Sequence, residues 1–573
     1  KAWLTWKNAP EAIDLRLERL SFAGPEAAGG ARGTYRYTGS GPGEIDLTAT
    51  VDRADGRAVW RYMPHAVNAD ARNWIRRGIT AGKGYDGRLV LKGNLKDFPF
   101  REPGTGKFLV TAKATGARVD YAEGWPLIDN IDADMSFGIG MKIQAQRGRI
   151  LGAELGDVSV DIPDFESHDE MLLVRGKAQG PTAEFLRFID QSPVGDKIDR
   201  FTEGMKAVGD GRLDLELDLP LRRLAQSKVR GEYHFRNNQL QPVDALPPLT
   251  QVNGRLLITE NSVAGNDLAG RAFGGPFKVQ VRNQGGKVGI SAHGHAQIAE
   301  VSKHFAWPLM NHLSGATDWK AEIGIRKRTV DLLVESNLLG VSSPLPEPLN
   351  KSATTAWPLR IERSTPDAQR EQYRISLGKV AQGLVVRRQD VWERGVFAVG
   401  DPDLRPPERG LAIRVSAPVL DADAWRHYLP EGSAGSASGA AAEGGLALAS
   451  VSLKTPSLRL MGREHSQVDI ALRPREGGWL IGLAMREAQG ELLWRSAGEG
   501  AVEGTLKRLY LKTPETGSGG TGSSLVDSLP GMNLVVEDFR VGERALGRLE
   551  IKARNDKSTW LLDQFSLANP DGE

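Results

Sequence analysis

His293 and His295, in "SAHGHAQ", stand two residues apart, so on a strand they share one face and would supply half of a metal site. A site of that kind needs a third ligand, and neither a further histidine nor a carboxylate stands nearby. The pair reads as a polar strand face, and no metal or other cofactor is assigned. Asp214, Glu216 and Asp218, in "GRLDLELDLPL", raise the possibility of acid–base chemistry. Such work needs carboxylates in unlike surroundings, often with one desolvated. Regular alternation along one strand gives them similar, wet surroundings, so they read as a solvated face. "SHDEM", around His168, reads as a charged turn. No HExxH, GxSxG or EF-hand pattern occurs, and the absence of cysteine removes disulfides, thiolate zinc sites and thiol nucleophiles. With no nucleophile, base and stabiliser in combination, the chain does not read as an enzyme.

The stronger signal is what lies between those carboxylates. Leu213, Leu215, Leu217 and Leu219 take every second place, which predicts a strand with one apolar and one acidic face. The same period recurs in "AIDLRLERLSF" with Ile13, Leu15 and Leu17, in "GRLVLKGNL" with Leu89 and Leu91, and in "DVSVDIPDF" with Val158, Val160 and Ile162. "PFKVQVRNQGGKVGISA" reads as a hairpin: Phe277, Val279 and Val281, a turn at 283–286, then Val288 and Ile290. "RTVDLLVES" adds Val330, Leu332 and Val334. Helical text is sparse: "NADARNWIRRGI" at 68–79 with a capping Asn68, two helices within 181–211, and short turns in "AEVSKHFAWPLMNHL" and "DADAWRHYLPEG". The chain is therefore mainly β.

Repetition is visible near the C-terminal end. "VDIALRPREGGWLI" from Val468 aligns without gaps on "LEIKARNDKSTWLL" from Leu549. Val468 meets Leu549, Ile470 meets Ile551, Arg473 meets Arg554 and Trp479 meets Trp560, which gives the tryptophans a packing or sheet-edge role. Earlier, "WPLIDNIDADMSF" resembles "LPPLTQVNGRLLI" with one gap. The expected organisation is a β segment at 1–180, a helical insertion at 181–211, a β segment at 212–430, a flexible loop at 431–445, and β repeats at 446–573 interrupted by a glycine-rich loop at 515–524. That last loop lacks the Gly-Lys-Ser/Thr ending of a phosphate loop.

A chain of 573 residues exceeds one ordinary domain, which leaves several domains or a repeat array. Its 74 basic and 72 acidic residues give no wide basic field, so nucleic acid is not an expected partner. No apolar run approaches the ~20 residues of a membrane-spanning helix. Opening on Lys1 in strand-like text, the sequence reads as an excerpt of a longer protein. Alternation alone favours a closed sandwich or barrel. The other solution is an open sheet whose apolar face lines a groove, and such a groove needs a greasy occupant.

Four stretches carry a family resemblance: "LPPLTQVNGRLLITENSVAGNDLAGRAFGGPFKVQV" at 246–281, "GLAIRVSAPVLDADAWRHYLPEG" at 410–432, "LMGREHSQVDIALRPREGGWLIGLAMREAQGELLWR" at 460–495 and "EDFRVGERALGRLEIKARNDKSTWLLDQFSLANPDGE" at 537–573. In order and combination they resemble the AsmA-like superfamily, most closely its YhdP branch. The resemblance implies an elongated, curved, taco-shaped antiparallel β-groove with a few short helices, acting as a bridge-like lipid transfer protein. It implies phospholipids and the inner and outer membranes of a Gram-negative bacterium as partners, with membrane proteins at the two ends. It places the chain in the periplasm, as part of a parent anchored in the inner membrane. The groove lining would then be the alternating sets above, from Leu89 and Leu91 to Val334, with Val468, Ile470, Leu472, Trp479, Ile481, Leu549 and Ile551. Two rivals remain: a TamB-like role in assembling outer-membrane proteins, where a sheet edge templates a client strand, and a filled β-solenoid scaffold.

Overall fold

The computed structural model describes every residue except 10, 64–66, 199, 201, 243–245, 285–286, 306–307, 327–328, 368, 390, 429–444, 496–499, 512–529, 557–558 and 570–573. The expected turn residues 285–286 and nearly all of both glycine-rich loops lie outside the described residues. The described residues form thirty-three strands and a few short helices, so the chain is mainly β as expected. It divides into two compact units. One comprises Lys1–Ala272, Pro276–Ala292 and Arg326–Arg328; the other comprises Phe273–Gly275, His293–Ile325 and Thr329–Glu573.

In the first unit each strand from Ala2–Ala9 to Val263–Ala272 pairs antiparallel with the next in sequence. This is a meander, in which the ladder partners of a strand lie on its sequence neighbours. It differs from a solenoid, where strands stack on the preceding coil. The predicted helix forms at Ala69–Gly78, with the Asn68 side chain accepting from Ala71 N at 2.7 Å. The 181–211 region holds helices Thr182–Asp190 and Pro193–Lys197, and the alternating strand starts at Lys206.

The second unit is also chiefly antiparallel, but some neighbours run parallel. Val391–Val399 pairs parallel with Gly410–Ser416, that strand with Leu448–Leu460, and Ala501–Leu511 with Gly531–Val541. Alternation looks the same in parallel and antiparallel strands, so the sequence pattern does not separate them. A parallel neighbour requires the chain to return along the strand's full length before pairing. The first return, residues 400–409, is held by Arg414, whose Nη1 donates to Asp403 O at 2.5 Å and Nη2 to Arg405 O at 3.1 Å. Both members of the C-terminal repeat are hairpins, Arg463–Arg475 with Gly478–Ala484 and Arg544–Asp556 with Thr559–Ala568. Gly477, at φ 76°, supplies the left-handed turn of the first.

Candidate functional site

Residues directly opposite in a ladder share a sheet face, so register shows where the alternating side chains go. In the first unit Ala2, Leu20, Ala31, Ala49, Leu89, Val110, Phe137, Met141 and Ile162 are opposite one another in sequence across nine strands. One row along, Met135, Ile143, Val160, Val174, Leu217 and Val229 continue it. Leu91 pairs with Leu47 and Phe108, Val158 with Ala145, Leu215 with Gly176 and Gly231, Leu213 with Ala178 and Tyr233, and Leu219 with Leu172. All eight lining residues expected between Leu89 and Leu219 therefore stand on one face.

The second unit repeats the arrangement. Val334, Ile361, Ile375, Gly383, Phe397, Ile413, Val451, Leu472, Ile481, Leu492, Gly504, Leu534, Ile551 and Phe565 are opposite in turn. The row crosses fourteen strands without a polar side chain. Leu332 joins this face through Arg363, Ile470 through Leu453, Val468 through Thr455, Trp479 through Trp494 and Leu549 through Val536. Val330 belongs to the Thr329–Ser336 strand. Ile361, Phe397, Ile413, Leu534 and Phe565 were not among the expected residues, although each alternates in phase within its own strand.

The opposite faces carry charge over much of both units, but behind Gly383, Phe397 and Ile413 the reverse face is apolar and closed, with Val386, Val396, Ala398 and Ala412 buried. The three acidic residues of the Lys206–Pro220 strand are each paired: Arg212 Nη2 lies 2.7 Å from Asp214, and Arg175 reaches Glu216 at 3.9 Å and Asp218 at 2.7 Å. Similar pairs join Lys92 to Asp46 at 2.8 Å, Arg360 to Glu335 at 2.7 Å and Arg554 to Asp563 at 2.7 Å. Exposed pairs contribute little stability, about 0–1 kcal/mol each; their consequence is a face that stays in water. His295 Nδ1 lies 2.9 Å from Asp318, a carboxylate that is 89% exposed. Among the described residues no group of three or more histidine, aspartate or glutamate side chains is placed to hold a metal.

Burial divides the expected lining. Leu89, Leu91, Val158, Val160, Leu213, Leu215, Leu217, Leu219, Val279, Val288, Ile290, Leu332, Val334, Ile470, Leu472, Ile481 and Ile551 are half-buried, while Phe277, Val281, Val468, Trp479 and Leu549 are closed off by the protein itself. Phe277 lies over Gly270, where an added Cβ would come 2.9 Å from its ring. Val468 packs with Ala417, Leu420 and Leu458, and Leu549 with Leu506 and Val536. Val468, Trp479 and Leu549 stand two residues along their strands from Ile470, Ile481 and Ile551, so closed clusters border the half-buried row.

In the first unit the margin near Gly211 is closed by the Thr182–Asp190 helix. Phe185 meets the Tyr233 ring at 5.0 Å and Phe188 meets Trp125 at 5.8 Å. Tyr233 lies across Gly211, which has no Cβ to obstruct it. Its hydroxyl donates to Thr182 Oγ1 at 2.8 Å, and Thr182 donates to Asn238 Oδ1. At the other margin Phe100 covers Gly93 and Gly106, and Phe98 meets Phe108 at 5.2 Å. Burial lifts the Tyr233 phenol to about 12 from 10.0. Its neutral form is favoured in the fold, so this contribution is complete below pH 10 and is lost as pH rises through 12. The loss amounts to roughly 2–3 kcal/mol. Tyr233→Phe should cost about 1 kcal/mol at neutral pH and should lose less stability than wild type between pH 10 and 12, as read by urea unfolding at both pH values. An equal alkaline loss in the variant would exclude Tyr233 as the source.

An apolar lane bordered by packed side chains can hold hydrocarbon. The sequence model of the YhdP protein family matches the chain over residues 1–573. The intermembrane phospholipid transporter YhdP of Escherichia coli (strain K12) is 24% identical over 520 residues, covering 87% of this chain and 40% of that protein. The chain thus spans well under half the length of the curated relative it matches. No solved structure matches it.

Proposed function

Because the chain belongs to the YhdP protein family, we propose that it carries glycerophospholipid along the apolar faces of its two units, unchanged chemically, as a periplasmic portion of a bridge from the inner to the outer membrane. The observation that carries this reading is the fourteen-strand apolar row from Val334 to Phe565, half-buried through most of its length and exposed at Phe397 and Phe565. An open apolar surface of that extent is costly in water, and acyl chains are a fitting cover. Each methylene kept from water is worth roughly 0.8 kcal/mol, so exposing both chains of a phospholipid costs on the order of 20 kcal/mol. On the sheet the chains meet side-chain carbon, and the ladder keeps the backbone's polar groups paired.

The test is mass spectrometry of the organic extract of the purified chain. The expected result is stoichiometric glycerophospholipid. A lipid-free protein with a rigid, filled face would overturn the proposal in favour of a scaffold. Co-purifying outer-membrane polypeptide without lipid would favour an assembly role.

A further inference from the structure

One helix stands on the apolar face of the first unit. Leu213 is opposite Ala178, and Ala178 is opposite Leu155. Two residues along these three adjacent strands, the same-face positions are Gly211, Gly180 and Ala153. Gly180 stands opposite Gly211, and Gly211 opposite Phe235. The large aliphatic side chains of the lane thus give way to glycine and alanine at one end, and the Thr182–Asp190 helix occupies the recess. A Cβ at Gly152, next to Ala153, would come 2.6 Å from the Glu184 side chain, whose Oε2 accepts from Gly152 N at 2.9 Å. Ala153 is 3% exposed. Phe185 meets Tyr233, and the Tyr233 ring is 4.8 Å from that of Phe235.

The helix has little stability of its own. It has nine residues, its N-cap residue Pro181 makes no side-chain bond, and isolated helices this short are marginal in water. What holds it is its seat. Thr182 is buried and Phe185, Leu186, Phe188 and Ile189 are half-buried, whereas Ala183, Arg187 and Asp190 are exposed. One side of the helix is therefore apolar and covered by the protein. At its start the Tyr233 hydroxyl donates to Thr182, and Thr182 donates to Asn238 Oδ1; further on, Phe188 rests against Trp125. Asn238 is 0% exposed, and its Nδ2 donates to Asp210 O at 2.7 Å and Arg236 O at 3.1 Å. The sheet thus keeps its half of this polar tie in place by itself.

The seat continues the lane on the same sheet face, so the helix and a hydrocarbon chain are rivals for one surface. Resting on the lipid-carrying reading above, we propose that the Thr182–Asp190 helix is a lid on the lane: docked, it covers the end beside Leu213, and passing acyl chains displace it from Gly211, Gly180 and Ala153. Two occupants of one surface exclude each other, so bound lipid shifts the helix toward release and a fixed helix shuts lipid out. The exchange leaves the apolar recess covered in both states, by the helix or by the cargo. Thr182 acts as the latch. Only in the docked position does it meet the Tyr233 hydroxyl and Asn238 together, which returns the helix to one place after cargo has passed.

Two measurements on the full chain test the lid. Hydrogen exchange is followed by mass spectrometry with and without dihexanoylphosphatidylcholine. The amides of residues 185–190 should exchange about tenfold faster with the lipid, while those of the Lys206–Pro220 strand stay protected. The second measurement locks the helix down. The chain has no cysteine, and position 152 is within disulfide reach of position 184. Gly152→Cys combined with Glu184→Cys should, when oxidised, transfer phospholipid between vesicles about tenfold more slowly than wild type, and reduction should restore the rate. Thiol titration checks the bridge, and circular dichroism checks the strands. Unchanged or slower exchange at 185–190 with the lipid, or an oxidised pair that transfers like its reduced form, would dismiss the lid and leave lipid carriage intact. A wild-type chain that neither binds nor transfers the lipid would dismiss the lid and the lipid reading together.

Discussion

Val160→Asp combined with Leu215→Asp should cut phospholipid transfer by at least about tenfold and leave the strands formed. Both side chains are half-buried on the same face, on strands separated by one other. Leu215 stands between Gly176 and Gly231, so the shorter aspartate meets no steric obstacle. Without cargo each carboxylate remains hydrated and the ladder keeps its hydrogen bonds, so folding survives. With cargo the carboxylates must be stripped of water against hydrocarbon, at a cost of several kcal/mol each. A vesicle-to-vesicle transfer assay reads the rate, and far-ultraviolet circular dichroism reads the strands. A folded double variant that transfers at the wild-type rate would remove Val160 and Leu215 from the path.

Phe277→Ala should behave in the opposite way. Phe277 is 4% exposed and its ring rests on Gly270. Truncation removes apolar area and leaves a cavity that the adjacent backbone cannot fill, a loss of about 3–5 kcal/mol. The expected readout is a large drop in the urea midpoint of the chain. Near-wild-type stability would mean that the Phe277 site is loose and that the side chain lines the path after all. The two variants together separate the packed margin from the open lane, a distinction that alternation in sequence does not contain.

Much of the fold was legible because a strand's period is local. "GRLDLELDLPL" specifies its two faces without reference to any other segment, and those faces are the ones observed. Which faces meet is set by register, and register is not local: Leu215 lies opposite Gly176 and Gly231, residues of the two strands that flank its own. Burial is further removed. Val468 looks like Ile470 in sequence, yet Ala417 and Leu420 arrive from a distant turn to seal it. The parallel neighbours were illegible for a related reason, since pairing direction leaves no mark on the alternation of Ile413 or Val451.

The most direct test of the lipid path is site-specific photo-crosslinking in cells, with a benzophenone amino acid placed at Ile481 or at its neighbour Leu480. These adjacent positions on the Gly478–Ala484 strand point to opposite faces, Ile481 toward the apolar row and Leu480 away from it. The account predicts phospholipid adducts at position 481 and none at 480. Equal lipid labelling at both positions, or protein adducts alone at 481, would contradict it.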